Sequence, residues 1–155
     1  KYFNVYGPYE DHKGAMRSVV NKAYAQILEQ GEVGLFKSYR PDYEDGKQLR
    51  DFVYVQDAVT QTIFLHDHPG VSGIFNCGTG QARTWLDLAK ATFAALGREP
   101  KIRFIEMPER LREKYQYYTE AKMDKIKAAG YDREPTSLED GIADYVQNYL
   151  EKRSG

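Results

Sequence analysis

Two acidic side chains, a histidine and a lysine stand beside a glycine in the run EDHKG, Glu10 to Gly14. These residue types can move protons. A lysine used as a base, however, must release its proton more readily than in water, which takes partial burial or neighbouring positive charge. Composition alone favours a solvated loop for this run. Arg50-Asp51 stands just ahead of the apolar stretch FVYV. A guanidinium at a strand rim can fork onto a phosphate; equally, it can pair with Asp51 or another carboxylate. His66 and His68 lie one residue apart in HDHPG with no third ligand at a sensible spacing, so a helix-end turn explains them better than a metal. GTGQAR, Gly78 to Arg83, has the strand-turn-helix setting in which helix N-termini bind phosphate. Arg83 nevertheless occupies the place of the third glycine in the dinucleotide fingerprint. A tight left-handed turn accounts for its glycines.

The elements that must position these groups follow from hydrophobic periodicity. Lys1 to Tyr6 reads as a strand, broken by Gly7-Pro8. Met16 to Gly31 reads as a helix, with Met16, Val19, Val20, Ala23 and Ile27 at three-and-four spacing and Gly31 as its stop. Val33 to Phe36 is a short strand, and Ser38 to Gln48 is a polar loop carrying Pro41 and Asp45-Gly46. Leu49 to Val55 returns to strand, and a helix follows from Asp57 to His66. Gly73 to Gly80 reads as a strand feeding the glycine turn. Thr84 and Asp87 are spaced to cap a helix that runs to Leu96. Ile102 to Met107 is a further strand. The last third is helical over Glu120 to Ala129 and Ser137 to Lys152, with Ser137 and Asp140 spaced as a cap. Strands alternating with helices predict an α/β unit. The strands are few and the loops between them long, which points to a lobe of a larger fold.

The chain has 155 residues, enough for one core, with 41% hydrophobic and 29% charged residues, as in soluble globular domains. A net charge of −1 provides no basic field for nucleic acid or anionic lipid. No apolar run approaches the ~20 residues that span a bilayer, and the first residues lack the layout of a signal peptide. Neither a membrane nor a nucleic-acid partner is expected. Cys77 is the single cysteine, which excludes an internal disulfide and a cysteine-based zinc cage. The chain also opens in mid-strand without a methionine, so a front portion is expected upstream of Lys1.

Order is more informative than any single motif. FNVYGP (Phe3 to Pro8), RDFVYVQD (Arg50 to Asp57) and IFNCGTG (Ile74 to Gly80) follow one another as in the C-terminal half of extended short-chain dehydrogenase/reductases acting on nucleotide sugars, which this chain resembles. Within that superfamily, HKG-x-M at His12 to Met16, LFKS at Leu35 to Ser38 and YQYYT at Tyr115 to Thr119 are similar to the ADP-L-glycero-D-manno-heptose 6-epimerase family. The resemblance implies an α/β fold in which an NADP-binding Rossmann domain carries a smaller α/β substrate domain. Residues 1–155 would be a single C-terminal fragment: mainly the nucleotide-sugar substrate domain, with the terminal strands and helices of the Rossmann domain. The glycine-rich cofactor loop and a Tyr-x-x-x-Lys motif would lie upstream, so this chain alone should neither bind NADP tightly nor turn over.

The implied reaction interconverts two ADP-heptose epimers by NADP-dependent hydride removal at C6 and its return to the other face, for the heptose of the lipopolysaccharide inner core. Each epimer presents its hydroxyl differently, so two acid/base groups suit the task, one per face. The resemblance assigns one role to the upstream tyrosine and the other to Lys13, which also contacts the cofactor. It places Val5 beside the nicotinamide and gives Asn4, Ala15, Lys22, Phe36, Lys37, Ser38, Arg50 and Tyr115 contacts to ADP-heptose. Ala15 stands where relatives can carry serine, and the loop from Tyr39 to Gln48 is longer than in some of them. A cytoplasmic homo-oligomer without a metal is implied. Another nucleotide-sugar epimerase or dehydratase would keep FNVYGP and RDFVYV but should alter HKG and YQYYT. A catalytically silent relative would have little use for Lys13 and Arg50 together.

Overall fold

The computed structural model describes residues 1–153. Three strands form one sheet in the order β1 (Asn4–Tyr6), β3 (Leu49–Tyr54), β4 (Ala82–Thr84), and β2 (Val33–Phe36) pairs separately with β5 (Ile102–Ile105). β1 runs parallel to β3 with Val5 opposite Val53, β3 runs antiparallel to β4 with Arg50 opposite Arg83, and β2 runs parallel to β5. Parallel neighbours need a crossover. Between β1 and β2 the chain forms a 3-10 turn (Asp11–Met16) and helix α1 (Val19–Gln30). After β3 come α2 (Val55–Asp67) and, beyond β4, α3 (Trp85–Ala95). Shorter helices follow among the described residues: α4 (Glu109–Arg112), α5 (Asp124–Ala128) and α6 (Leu138–Tyr145), the last continuing through a π-turn at Val146–Leu150 into α7 (Glu151–Arg153). The α/β expectation holds.

Local chemistry sets the helix ends. Ser18 caps α1 by accepting from the Asn21 amide, and Gly31 closes it in the left-handed region at φ 72°. Thr84 and Asp87 form the reciprocal capping box that opens α3, and Ser137 caps α6 through the Asp140 amide. Two apolar layers follow. Val20 and Tyr24 of α1 meet Phe52 and Tyr54 of β3, with Leu88 of α3 and Ile142 of α6. On the other flank Ala23 and Ile27 meet Val33, Leu35 and Phe93. Each fully buried aliphatic side chain here contributes about 1.5–3 kcal/mol. α6 approaches the sheet only because residue 141 is glycine: a Cβ there would lie 2.2 Å from the Tyr6 hydroxyl.

Four expectations are corrected. α1 begins after Ser18, not at Met16, which is 83% exposed; the Ser18 cap outweighs one apolar residue in phase with the helix. The first strand is confined to Asn4–Tyr6. Gly73 to Gly80 is not a strand; among the described residues its ladder pairing is one isolated bridge, Tyr2 with Cys77, and Gly73 stands at φ 111°. The helix expected from Glu120 is limited to Asp124–Ala128. Residues 120–123 are committed elsewhere: the Ala121 amide donates to Asp51, the Glu120 carboxylate accepts from the Ala82 amide, and the Lys122 carbonyl accepts from Asn76.

Candidate active site

Asn4, Val5 and Lys13 line one cleft of about 350 Å³, with Val19 and Phe52 as apolar walls. β1 supplies the first two, and the 3-10 turn carries Lys13 across from them. Lys13 is exposed, and among the described residues it is in no ion pair. Beyond Val19 the surface continues into a second cleft of about 280 Å³, lined by Lys22, Gly34, Phe36 and Trp85. Val19 borders both clefts.

A cluster around Arg50 adjoins the second cleft. Tyr115 packs edge-on against Phe36 at 6.3 Å between ring centroids, and its hydroxyl accepts from Trp85 Nε1 at 2.9 Å. The Arg50 guanidinium lies over both rings, 5.1 Å from the Tyr115 centroid and 5.7 Å from that of Trp85. Arg50 is only 8% exposed, and Nη1 donates to the Leu49 carbonyl. Burial lowers its pKa, opposed by Tyr115. No carboxylate pairs with it among the described residues. A guanidinium taken out of water without a counter-charge is costly, and its remaining donors suit a bound anion.

The alternative in which Arg50 pairs with Asp51 fails for a simple reason. Neighbouring residues of a strand point to opposite faces. Asp51, wholly buried, points to the glycine turn, where it accepts from the Thr79 amide, the Thr79 hydroxyl, the Gly80 amide and the Ala121 amide at 2.7–3.0 Å. The turn therefore resembles a phosphate cradle, but an internal carboxylate fills it. Gly80 takes the left-handed conformation at φ 73°, and a Cβ on Gly78 would meet Ala121 Cβ at 2.6 Å.

The remaining expected site residues are more dispersed. Lys37 forms an ion pair with Glu106 at 2.6 Å, which raises its pKa chiefly through that hydrogen bond. The Ser38 amide donates to Asp45 and its hydroxyl to the Arg40 carbonyl, at the root of the polar loop. Ala15 is exposed on the 3-10 turn and lines neither cleft. His68 accounts for itself as a helix-end residue: its Nδ1 meets the Phe64 carbonyl at 2.7 Å and its ring lies over Phe64. Trp85 is a site-lining residue that periodicity did not single out, though a lone tryptophan at the first position of a capped helix was a signal. Glu10, expected in a solvated loop, is 3% exposed.

Asn4, Val5, Val19 and Lys13 offer a partly apolar, partly cationic wall. The Thr79 and Gly80 amides, taken by Asp51, are not open to a phosphate. The sequence pattern of the NAD dependent epimerase/dehydratase family matches residues 1–78, which hold β1, the Lys13 turn, Arg50 and the start of the glycine turn. The chain belongs to this epimerase/dehydratase family.

Likeness within the family extends to the whole chain. An ADP-L-glycero-D-manno-heptose-6-epimerase from Nitratidesulfovibrio vulgaris (strain DP4) is 58% identical over 150 residues, which are 97% of this chain and 46% of that protein. The crystal structure of the Helicobacter pylori ADP-L-glycero-D-manno-heptose-6-epimerase superposes with a TM-score of 0.75 at 30% identity, over 96% of this chain and 42% of that one. A Thermus thermophilus UDP-glucose 4-epimerase in complex with NAD gives a TM-score of 0.77 at 27% identity, over 97% of this chain and 45% of that one. The chain thus spans about half the length of the epimerases it matches. In the described residues no helix is long and apolar enough to cross a membrane.

Proposed function

We propose that the full-length protein is an NADP-dependent epimerase that inverts C6 of ADP-glycero-D-manno-heptose, and that residues 1–155 are the C-terminal fragment carrying most of its substrate site. The observation that carries this reading is the track of side chains from the Asn4–Val5–Lys13 cleft, past Val19, to Lys22, Phe36, Tyr115 and Arg50. It has a proton-handling end and an unpaired buried cation at the other end, as a nucleoside-diphosphate sugar requires. The 58% identity over nearly the whole chain supports the heptose as that sugar.

The nicotinamide cofactor would supply reversible hydride transfer at C6. Asn4 and Val5 would fix the sugar and the nicotinamide edge, and Lys13 Nζ would exchange a proton with the C6 oxygen on one face. An acid/base group upstream of Lys1 would serve the other face. Lys22, Phe36, Lys37 and Ser38 would hold the nucleotide portion, with the diphosphate on Arg50 and Tyr115 closing over it; Ala15 would touch the sugar only once it is bound. The same reading makes the enzyme a cytoplasmic homo-oligomer serving the lipopolysaccharide inner core.

Hydride removal and return has an isotopic signature. The full-length protein, given ADP-heptose deuterated at C6 in ordinary water, is expected to form the other epimer with the deuterium retained, as read by mass spectrometry. Wash-out to solvent would replace the hydride mechanism with deprotonation at carbon. Turnover of UDP-glucose in place of ADP-heptose would transfer the chain to the other sugar class.

Arg50→Ala is expected to weaken ADP-heptose binding by about 1.5–3 kcal/mol, the scale of a hydrogen bond to a charged group, or roughly ten- to over a hundredfold in Kd. Calorimetric titration of the full-length variant measures this, and an unchanged Kd would remove the diphosphate from Arg50.

A further inference from the structure

The turn that carries Lys13 cannot hold itself. Every residue from Asp11 to Met16 is exposed, and no apolar side chain of the segment is buried. A six-residue turn without a core has to be fastened by polar contacts, or its lysine will sample many positions. Those contacts exist, and they lie beneath the turn.

Glu10, at the entry to the turn, is 3% exposed and bridges to its exit: one carboxylate oxygen accepts from the Ser18 amide at 2.7 Å and the other from the Ser18 hydroxyl at 2.5 Å. The chain from Glu10 to Ser18 is thereby closed into a ring, inside which the Lys13 amide donates to the Glu10 carbonyl. The Glu10 carboxylate also accepts from the Tyr145 hydroxyl at 2.9 Å. Tyr145 is fully buried in α6, 135 positions further along the chain, and its oxygen accepts in turn from Asn21 Nδ2 at 2.9 Å. Asn21 holds Arg17 Nη1, and Arg17 Nε donates to the Gly14 carbonyl within the turn. Burial raises the Tyr145 pKa well above that of a free phenol, so the hydroxyl remains a donor.

We infer that Glu10 and Tyr145 are positioning residues, which clamp the turn so that Lys13 is held at the sugar. The assignment rests on the proposed role of Lys13 in handling one epimer's proton. It adds that the far end of the chain, through α6, sets the geometry of that step. Buried networks of charged and neutral donors are rigid when every member is satisfied, and a small misplacement of a reacting group costs rate more than affinity.

The overall equilibrium fixes the ratio of kcat/KM in the two directions, so the two half-reactions must be read separately. In the full-length protein, stopped-flow reduction of the bound nicotinamide is followed on mixing with either epimer. Amide hydrogen exchange of residues 10–18 is measured in parallel. Glu10→Gln and Tyr145→Phe are each expected to slow hydride removal from one epimer at least tenfold and to leave the other within twofold. Exchange at Lys13 should rise at least tenfold in both variants, and at Ser18 in Glu10→Gln, while the interior of α1 is unchanged. Equal slowing of both epimers, or of neither, would overturn the clamp. Tyr145→Phe keeps the ring packed and the Glu10–Ser18 bonds in place, so it decides the matter if Glu10→Gln does not fold. Lys13→Met serves as reference. If it slows one epimer while the clamp variants slow neither, only the clamp fails; if it slows neither, the role of Lys13 itself fails.

Discussion

Lys13→Met in the full-length protein is expected to abolish epimerisation, with at least a thousandfold loss of kcat and the cofactor still bound. Methionine keeps much of the length of the side chain and removes the ammonium. Positioned acid/base groups contribute about 10²–10⁴ in rate, and an epimerisation that needs a proton at each face stops when either group is lost. Little stability should go with it, because the Lys13 side chain is exposed and supports no core. The measurements are product formation by chromatography, cofactor content by absorbance and the unfolding midpoint. Near-normal turnover would sink the catalytic role, whereas loss of cofactor would move Lys13 from the reaction to binding.

The second large effect concerns folding. Asp51→Ala is expected to destabilise the chain by about 4 kcal/mol, since each buried donor left without its acceptor costs about 1–3 kcal/mol and the losses do not add fully. Asp51 is inaccessible to solvent, and its two oxygens satisfy three backbone amides and one hydroxyl. These bonds tie β3 to the glycine turn and to the segment before α5. Asp51→Asn should also be destabilising, because an amide turns a donor toward donors on one side. With total stability of about 5–15 kcal/mol for a domain, a loss of this size lowers Tm by roughly 8–16 °C. Denaturant unfolding of wild type and variants measures it; a change under about 1 kcal/mol would show that water or a rearranged turn replaces the carboxylate.

Both residues sit in motifs visible from sequence, yet sequence treated them differently. EDHKG read as a solvated loop, and for Asp11 to Gly14 the structure agrees. Glu10 departs because its partners are eight and 135 positions away, and no local pattern reports a contact with α6. Arg50-Asp51 was open between a phosphate contact and an internal pair. The two-residue period of a strand already argued against the pair, a signal available in RDFVYV itself. What filled the glycine turn could not be read there, because a carboxylate from β3 and a phosphate ask the same of backbone amides.

What the sequence determined by itself is local and serial. The caps Ser137–Asp140 and Thr84–Asp87, the stop at Gly31, the alternation of strand and helix, and the order of FNVYGP, RDFVYV and FNCGTG follow from interactions within a few residues, or from matching a pattern along the chain. Only the tertiary structure decided which polar groups are paired. Among the described residues it left Arg50 without a counter-charge between two aromatic rings, gave the glycine turn to Asp51, and fastened the Lys13 turn to a tyrosine at the far end of the chain. A buried polar group must be satisfied wherever the fold brings a partner, and that partner's distance along the chain carries no signature in either neighbourhood.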